Sequence, residues 1–223
     1  MKTLVYGSLN IDLVFSVDHI VTPGETISSS SLSKGAGGKG ANQAAALAKA
    51  GTETWMAGKT SKDDVFLLEL LVSYGVHTEK VIQYEGPSGQ ALIQVEKSGQ
   101  NSIILFAGGN GEIRRDEIDG VLESFGQGDG VLLQNEIPYV ADIIEKAKKR
   151  GMKVFLNPSP YDEKIGKLPL EKVDIFFVNE IEGAALAALP QGTPPPLILD
   201  RLTKNYPAAE FILTAGKDGA YYG

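Results

Sequence analysis

Lys34-Gly35-Ala36-Gly37-Gly38-Lys39-Gly40-Ala41-Asn42-Gln43 runs directly into the alanine-rich segment Ala44 to Ala50. Gly35, Gly37, Gly38 and Gly40 fall within six residues, so the backbone there can take positive φ and approach a ligand closely, and the Ala/Leu run that follows is a strong helix former. The stretch reads as a tight, ligand-hugging turn that feeds a helix N-terminus. Lys39 and Asn42 add a cation and an amide that both donates and accepts, a pairing suited to an anionic or hydroxyl-rich ligand. The competing reading, a glycine-rich helix start with no ligand, must also account for Lys39 and Asn42.

A chain of 223 residues can bury roughly 70% of its unfolded surface and hold one large α/β body. Its 21 basic and 28 acidic residues give a formal charge of −7, which disfavours nucleic acid or an anionic membrane as partner. There is no cysteine, hence no disulfide framework and no thiolate chemistry, and zinc of the thiolate type is disfavoured. The opening Met1-Lys2-Thr3-Leu4-Val5-Tyr6-Gly7 is too short an apolar stretch for a signal peptide, and no run approaches the roughly 18 apolar residues of a spanning helix. The expectation is a soluble, cytoplasmic protein.

Thr3 to Tyr6 reads as a buried strand ended by Gly7-Ser8, with Asn10 and Asp12 just past it. Leu13 to Ser33 reads as a strand pair about a Pro23-Gly24 turn, its second strand over Thr26 to Leu32. A helix over 41–50, a strand over Thr54 to Ala57 and a helix over Asp63 to Tyr74 follow, with Asp63 or Asp64 as N-cap and Gly75 beyond the C-terminus. Gln90 to Glu96 and Asn101 to Phe106 form a hairpin around Lys97-Ser98-Gly99-Gln100. With the earlier strand pair it predicts a small β lid assembled from residues 13–34 and 89–107. The alternative is that these are edge strands of the main sheet.

After Gly108-Gly109-Asn110 the pattern becomes strand and helix in alternation. Helices are expected near 116–125, 138–150, 181–189 and from Leu197 to Tyr206, with strands at Gly130 to Gln134, Lys153 to Leu156, Ile175 to Val178 and Phe211 to Thr214. Such alternation predicts an α/β fold, a mostly parallel central sheet covered by helices on both faces. The final Ala220-Tyr221-Tyr222 reads as the start of a strand left as an unpaired edge, the pattern of a truncated chain.

Polar residues recur just past the apolar runs: Asn10 and Asp12, Glu136, Asn157, Asn179 and Thr214. In an open parallel sheet those points lie along the carboxyl edge, where such folds bind ligands. Each alone is as well explained as a cap or turn residue. Gly35, Gly37 and Gly40 also fit G-x-G-x-x-G by letters, but the serine-rich segment before them is not the buried strand a dinucleotide site needs. His19 and His77 are isolated, and Trp55 reads as packing.

Gly37-Gly38-Lys39-Gly40-Ala41-Asn42-Gln43-Ala44 together with Gly7-Ser8-Leu9-Asn10-Ile11-Asp12 resembles the ribokinase branch of the ribokinase-like (PfkB) carbohydrate kinases. Gln134-Asn135-Glu136, Leu156-Asn157-Pro158, Val178-Asn179-Glu180-Ile181-Glu182 and Leu213-Thr214-Ala215-Gly216-Lys217-Asp218-Gly219 follow in the family's order. The resemblance runs along the whole chain and spans about three quarters of a family member. It implies one three-layer α/β/α domain over 1–223, incomplete at its C-terminus, that carries the β lid and transfers phosphate from ATP to a primary hydroxyl of a sugar, with ribose foremost. Carried over by motif, Asn10, Asp12, Gly38, Lys39, Asn42 and Glu136 bind the sugar. Asn179, Thr214 and Gly216 bind the nucleotide, and Glu182 supports Mg²⁺ indirectly. The resemblance also implies a monovalent cation such as K⁺ and a homodimer formed through the lid.

In that family the proton-accepting Asp and the anion hole belong to a later Gly-Ala-Gly-Asp motif, which residues 1–223 do not contain. No catalytic residue is therefore expected within this chain, which alone should be nearly inactive: a lost base costs about 10² to 10⁴ in rate and lost oxyanion donors about 10² to 10³. The alternatives are a short, non-catalytic sugar-binding module, or a kinase for another sugar, a sugar acid or a nucleoside.

Overall fold

The computed structural model describes all residues, Met1–Gly223. Its contacts divide the chain into two compact units, one made of Met1–Tyr6 with Arg114–Gly223 and the other of Gly7–Ile113.

The first unit holds β1 (Thr3–Tyr6), β8 (Gly130–Gln134), β9 (Lys153–Asn157), β10 (Ile175–Asn179), β11 (Glu210–Thr214) and β12 (Ala220–Tyr222), in the order β12-β11-β10-β9-β8-β1. Every neighbouring pair is parallel except β11 with β12. β1 and β8 are buried along their whole length, which is why they read as continuous apolar runs: a parallel sheet is covered on both faces. Of the covering helices, α4 (Val140–Lys149) buries Val140, Ile143, Ile144 and Ala147, the one-face spacing of an amphipathic helix. α6 (Pro195–Asn205) starts two residues earlier than the sequence predicts because Pro195 is itself the first helical residue, where a missing N–H costs nothing. α3 (Glu117–Leu122) and α5 (Glu180–Leu186) complete the set. Phe176 and Phe211 stack in the core at a centroid distance of 5.0 Å. The closing strand differs from expectation, since β12 does have a partner: it runs antiparallel along β11, and Gly223 exchanges backbone hydrogen bonds with Phe211.

The second unit contains a separate four-stranded sheet, β3-β2-β6-β7, formed by β2 (Asn10–Val17), β3 (Ser31–Gly37), β6 (Gly89–Glu96) and β7 (Asn101–Phe106). The small sheet expected from two segments is thus present, with β2 antiparallel to β3 and parallel to β6. β3 starts at Ser31 and runs through Gly37, whereas the sequence placed a strand at Thr26 to Leu32 and a turn through the glycines. Gly35, Ala36 and Gly37 are therefore strand residues, and the turn is confined to Gly38, at φ 94°.

The same unit holds α1 (Lys39–Lys49), β4 (Thr54–Ser61), α2 (Val65–Ser73) and β5 (His77–Tyr84), with β4 parallel to β5. β4 outruns its predicted end at Ala57 because Gly58 extends the strand instead of breaking it. A Cβ there would lie 2.7 Å from the Gly7 carbonyl oxygen. β5 escaped the sequence reading because Glu79 and Lys80 dilute its apolar content. Trp55 and His77 stack across β4 and β5 at 4.3 Å, the packing role expected of the tryptophan.

Candidate functional site

Asn10 and Asp12 follow the end of β1, as read from the sequence, but they already belong to β2, which begins at Asn10 and not at Leu13. Successive strand residues alternate faces, so the two share one side of the small sheet. Across from Asn10 stand Gly37 on β3 and Gly89 on β6, and across from Asp12 stand Gly35 and Ala91. The polar pair is thus flanked by residues with no side chain larger than a methyl group. The vacancy is used closely. A Cβ on Gly37 would lie 2.2 Å from both Asp12 carboxylate oxygens, and one on Gly89 would lie 2.3 Å from the Asn10 Oδ1.

The α1 N-terminus begins one residue beyond Gly38. Its Gly40 N–H donates to the Ser8 Oγ at 3.3 Å and its Ala41 N–H to the Ser8 carbonyl at 3.0 Å. Two of the helix's first donors are therefore satisfied by the chain itself and are not held open for an anion. Lys39 is partly buried, and Asn42 follows one turn later on the same helical side. Asn42 is exposed and borders a cavity of about 110 Å³ lined by Leu9, Ala36, Leu67 and Leu71.

Residues that the sequence did not single out hold this region in place. Asn110 is buried; its Oδ1 accepts from the Leu9 N–H at 2.9 Å, and its Nδ2 donates to the Asn10 Oδ1 at 2.7 Å. Lys59, buried at the end of β4, donates to the Glu112 carbonyl at 2.8 Å. Ser88 is fully buried directly before β6 and donates to the Asp64 Oδ2 at 2.7 Å, while its Oγ accepts from the Ser61 N–H at 3.0 Å and lies 2.7 Å from the Thr60 Oγ1. Since the single Ser88 proton goes to Asp64, the Thr60 hydroxyl is the donor in their bond. Asp64 occupies the N-cap position of α2 as predicted but makes no side-chain cap bond. Its carboxylate is instead held by Ser88 and lies 3.5 Å from the Lys34 Nζ. Burial, reinforced by the Glu112 carboxylate, pushes the Tyr84 phenol above its usual range, and it donates as a neutral group to the Pro87 carbonyl at 2.7 Å. The signal that could have exposed Asn110 is Gly108-Gly109-Asn110, a second glycine pair followed by a polar residue, like Gly37-Gly38-Lys39.

In the first unit the strand-end residues do align. Gln134 pairs with Asn157 in register, and Asn179 with Thr214. Asn157 is committed to structure, its Nδ2 donating to the Phe177 carbonyl at 2.8 Å. Asn179 is the N-cap of α5: its Oδ1 accepts from the Glu182 N–H at 2.8 Å, and the Glu182 Oε2 accepts from the Asn179 N–H at 3.1 Å. This reciprocal capping box bonds the two residues to each other at the start of α5. Thr214 is exposed, with its Oγ1 3.4 Å from the Val178 carbonyl, and Gly216 is exposed at φ 54° with open space around its Cα. Glu136 is partly buried two residues beyond the end of β8. No group of three or more His, Cys, Asp or Glu side chains is placed to hold a metal ion, and no helix is long and apolar enough to cross a membrane.

Residues 2–223 match the pfkB family carbohydrate kinases. The chain is 32% identical to a ribokinase of Staphylococcus aureus (strain COL), over 99% of this chain and 75% of that one. It is also 32% identical to a deoxyribokinase of Salmonella typhi, over 100% and 74% respectively. Among solved structures, the ribokinase of Arabidopsis thaliana complexed with ribose and ATP superimposes with a TM-score of 0.79 at 29% identity, covering 99% of this chain and 74% of that one. Against a bifunctional ribokinase/ribose-5-phosphate isomerase A of Fructilactobacillus sanfranciscensis, 34% identical, the chain spans 36% of the relative's length. The glycine-flanked polar strand, the mostly parallel sheet and a match along almost the entire chain agree, and the chain belongs to the pfkB family of carbohydrate kinases.

Proposed function

We propose that these residues carry the sugar- and nucleotide-binding parts of a kinase that transfers phosphate from ATP to the primary hydroxyl of a pentose, with D-ribose as the substrate. One observation carries the reading: Asn10 and Asp12 share a face of the small sheet whose cross-strand neighbours are Gly35, Gly37, Gly89 and Ala91. A carboxylate that accepts and an amide that donates, standing on an otherwise bare surface, match the paired hydroxyls of a polyol. Gly38, Lys39 and Asn42 are proposed as further sugar contacts, and Glu136 is proposed for the sugar by resemblance alone. Asn179, Thr214 and Gly216, on adjoining strand ends, are proposed for the nucleotide.

Mg²⁺ would neutralise charge on the transferred phosphate and keeps several of its own waters, so it needs few protein ligands. Glu182 is proposed by resemblance for an indirect role, with one of its oxygens accepting from the Asn179 N–H. A monovalent cation such as K⁺ remains part of the proposal by resemblance, as does a cytoplasmic location. The Gly-Ala-Gly-Asp motif that would supply the base is not among residues 1–223. A polypeptide of these residues alone is accordingly proposed to bind sugar and nucleotide and to turn over barely measurably. The proposed homodimer forms through the small sheet, whose edge strand β7 exposes Ile103, Ile104, Leu105 and Phe106; light scattering of Ile104→Lys, expected to be monomeric, tests it.

Calorimetric titration with D-ribose, 2-deoxy-D-ribose and inosine tests the substrate class, and an ADP-release assay tests turnover. Binding of ribose is the expected result. Preference for 2-deoxyribose would instead favour the deoxyribokinase-like reading that the Salmonella relative supports, and binding of inosine alone would reject a free sugar as substrate.

A further inference from the structure

We infer that Asn110 is a positioning residue that sets the polarity of the Asn10 amide, so that Asn10 meets the ligand as a hydrogen-bond donor. The inference rests on the sugar reading of Asn10 and Asp12 and extends it to a residue outside the motifs that define that site. The two ends of an asparagine amide have the same shape, and only their partners distinguish them. Here the partners decide. The Leu9 N–H can only donate, so the Asn110 atom 2.9 Å from it is the oxygen. The other Asn110 atom is then the NH₂ group, which sits 2.7 Å from Asn10 and 3.4 Å from the Leu9 carbonyl. Because NH₂ donates, the Asn10 atom facing it is Oδ1, and Asn10 retains its Nδ2 as the group it can offer a ligand.

The geometry leaves little freedom to reverse this order. Asn110 and Asn10 are 3% and 7% exposed, and a Cβ on Gly89 would lie 2.2 Å from the Asn110 Nδ2 and 2.3 Å from the Asn10 Oδ1. A backbone N–H at Leu9 thus dictates, through two side chains, which end of Asn10 is presented. Asp12, two residues along the same face, is an acceptor when ionised. The pair then offers one donor and one acceptor to neighbouring hydroxyls, where a reversed Asn10 would offer acceptors only.

Asn110→Asp keeps an acceptor for the Leu9 N–H and removes the donor to Asn10. The Asn10 amide should then rotate and place its NH₂ toward residue 110. D-ribose affinity should fall about 10- to 100-fold through a mispaired polar contact, measured by calorimetry on folded protein. Asn10→Asp supplies the second arm: it preserves the acceptor for Asn110 yet offers the ligand an oxygen, so it should lose affinity to a similar degree with little change in melting temperature. A third measurement needs no variant. In the parent chain the Asn110 side-chain NH₂ should exchange slowly with solvent before sugar is added, and the Asn10 NH₂ resonances should be the ones that shift on titration. Ribose binding by Asn110→Asp equal to that of the parent, or fast exchange of the Asn110 amide, overturns the inference. Failure of the sugar reading shows separately, as a parent chain that yields no heat with ribose.

Discussion

The two clusters of polar residues are built in opposite ways. In the Gly7–Ile113 unit, the candidate sugar residues are held by partners far along the chain: Asn110 reaches Leu9 and Asn10 across about a hundred residues, and Ser88 gathers Thr60, Ser61 and Asp64. In the other unit, Asn179 and Glu182 hold each other three residues apart, at the exposed end of β10. The first arrangement is buried, long-range and dependent on absent side chains. The second is local, with Asn179 exposed and Glu182 as buried as Asn10. A site that must orient several hydroxyls needs rigid donors and acceptors, whereas a strand-end cap is set by its own few residues.

The sharpest way to break this contrast is to fill the space beside Asp12. Gly37→Ala would place a methyl carbon 2.2 Å from both carboxylate oxygens, and displacing Asp12 should lower ribose affinity about 100-fold, read by calorimetry. An unchanged affinity would mean that the bare face is not where sugar sits. Next in size is Ser88→Ala, which strips the buried network of one donor and one shared acceptor. Loss of about 2 kcal/mol is expected, seen as a melting temperature about 6 °C lower; a shift within error would show that the network holds nothing in place. In the local cluster, Asn179→Ala should cost about 1 kcal/mol by loss of the cap, as urea unfolding would reveal. The smallest effect on ribose affinity is expected at Gly216, where a Cβ meets open space and only the positive φ resists it. Gly216→Ala should destabilise by about 1 kcal/mol or slightly more and leave ribose affinity untouched.

The same contrast explains what could be read from the sequence. The parallel strands β8, β9, β10 and β11 were legible because both-face burial writes itself as unbroken apolar runs. The small sheet was legible as two strand pairs, yet β3 was misplaced because the glycines that look like a turn are strand residues left bare beside β2. The start of β2 was placed at Leu13 instead of Asn10 because Asn and Asp are depleted in strands and read as turn residues. Lys59 and Ser88 were invisible because their partners lie at separations that no local pattern encodes, and Gly108-Gly109-Asn110 marks Asn110 without indicating its partners. Asp64 was foreseen as a cap from its position and acts as an acceptor for Ser88, a partner only the tertiary fold supplies.

The most direct test of the central claim is calorimetry of Asp12→Ala against the parent chain, titrated in parallel with D-ribose and with ADP. The account predicts that the variant stays folded, loses ribose binding and keeps ADP affinity within about twofold, a difference under about 0.5 kcal/mol. Ribose binding that survives the loss of the Asp12 carboxylate would contradict it.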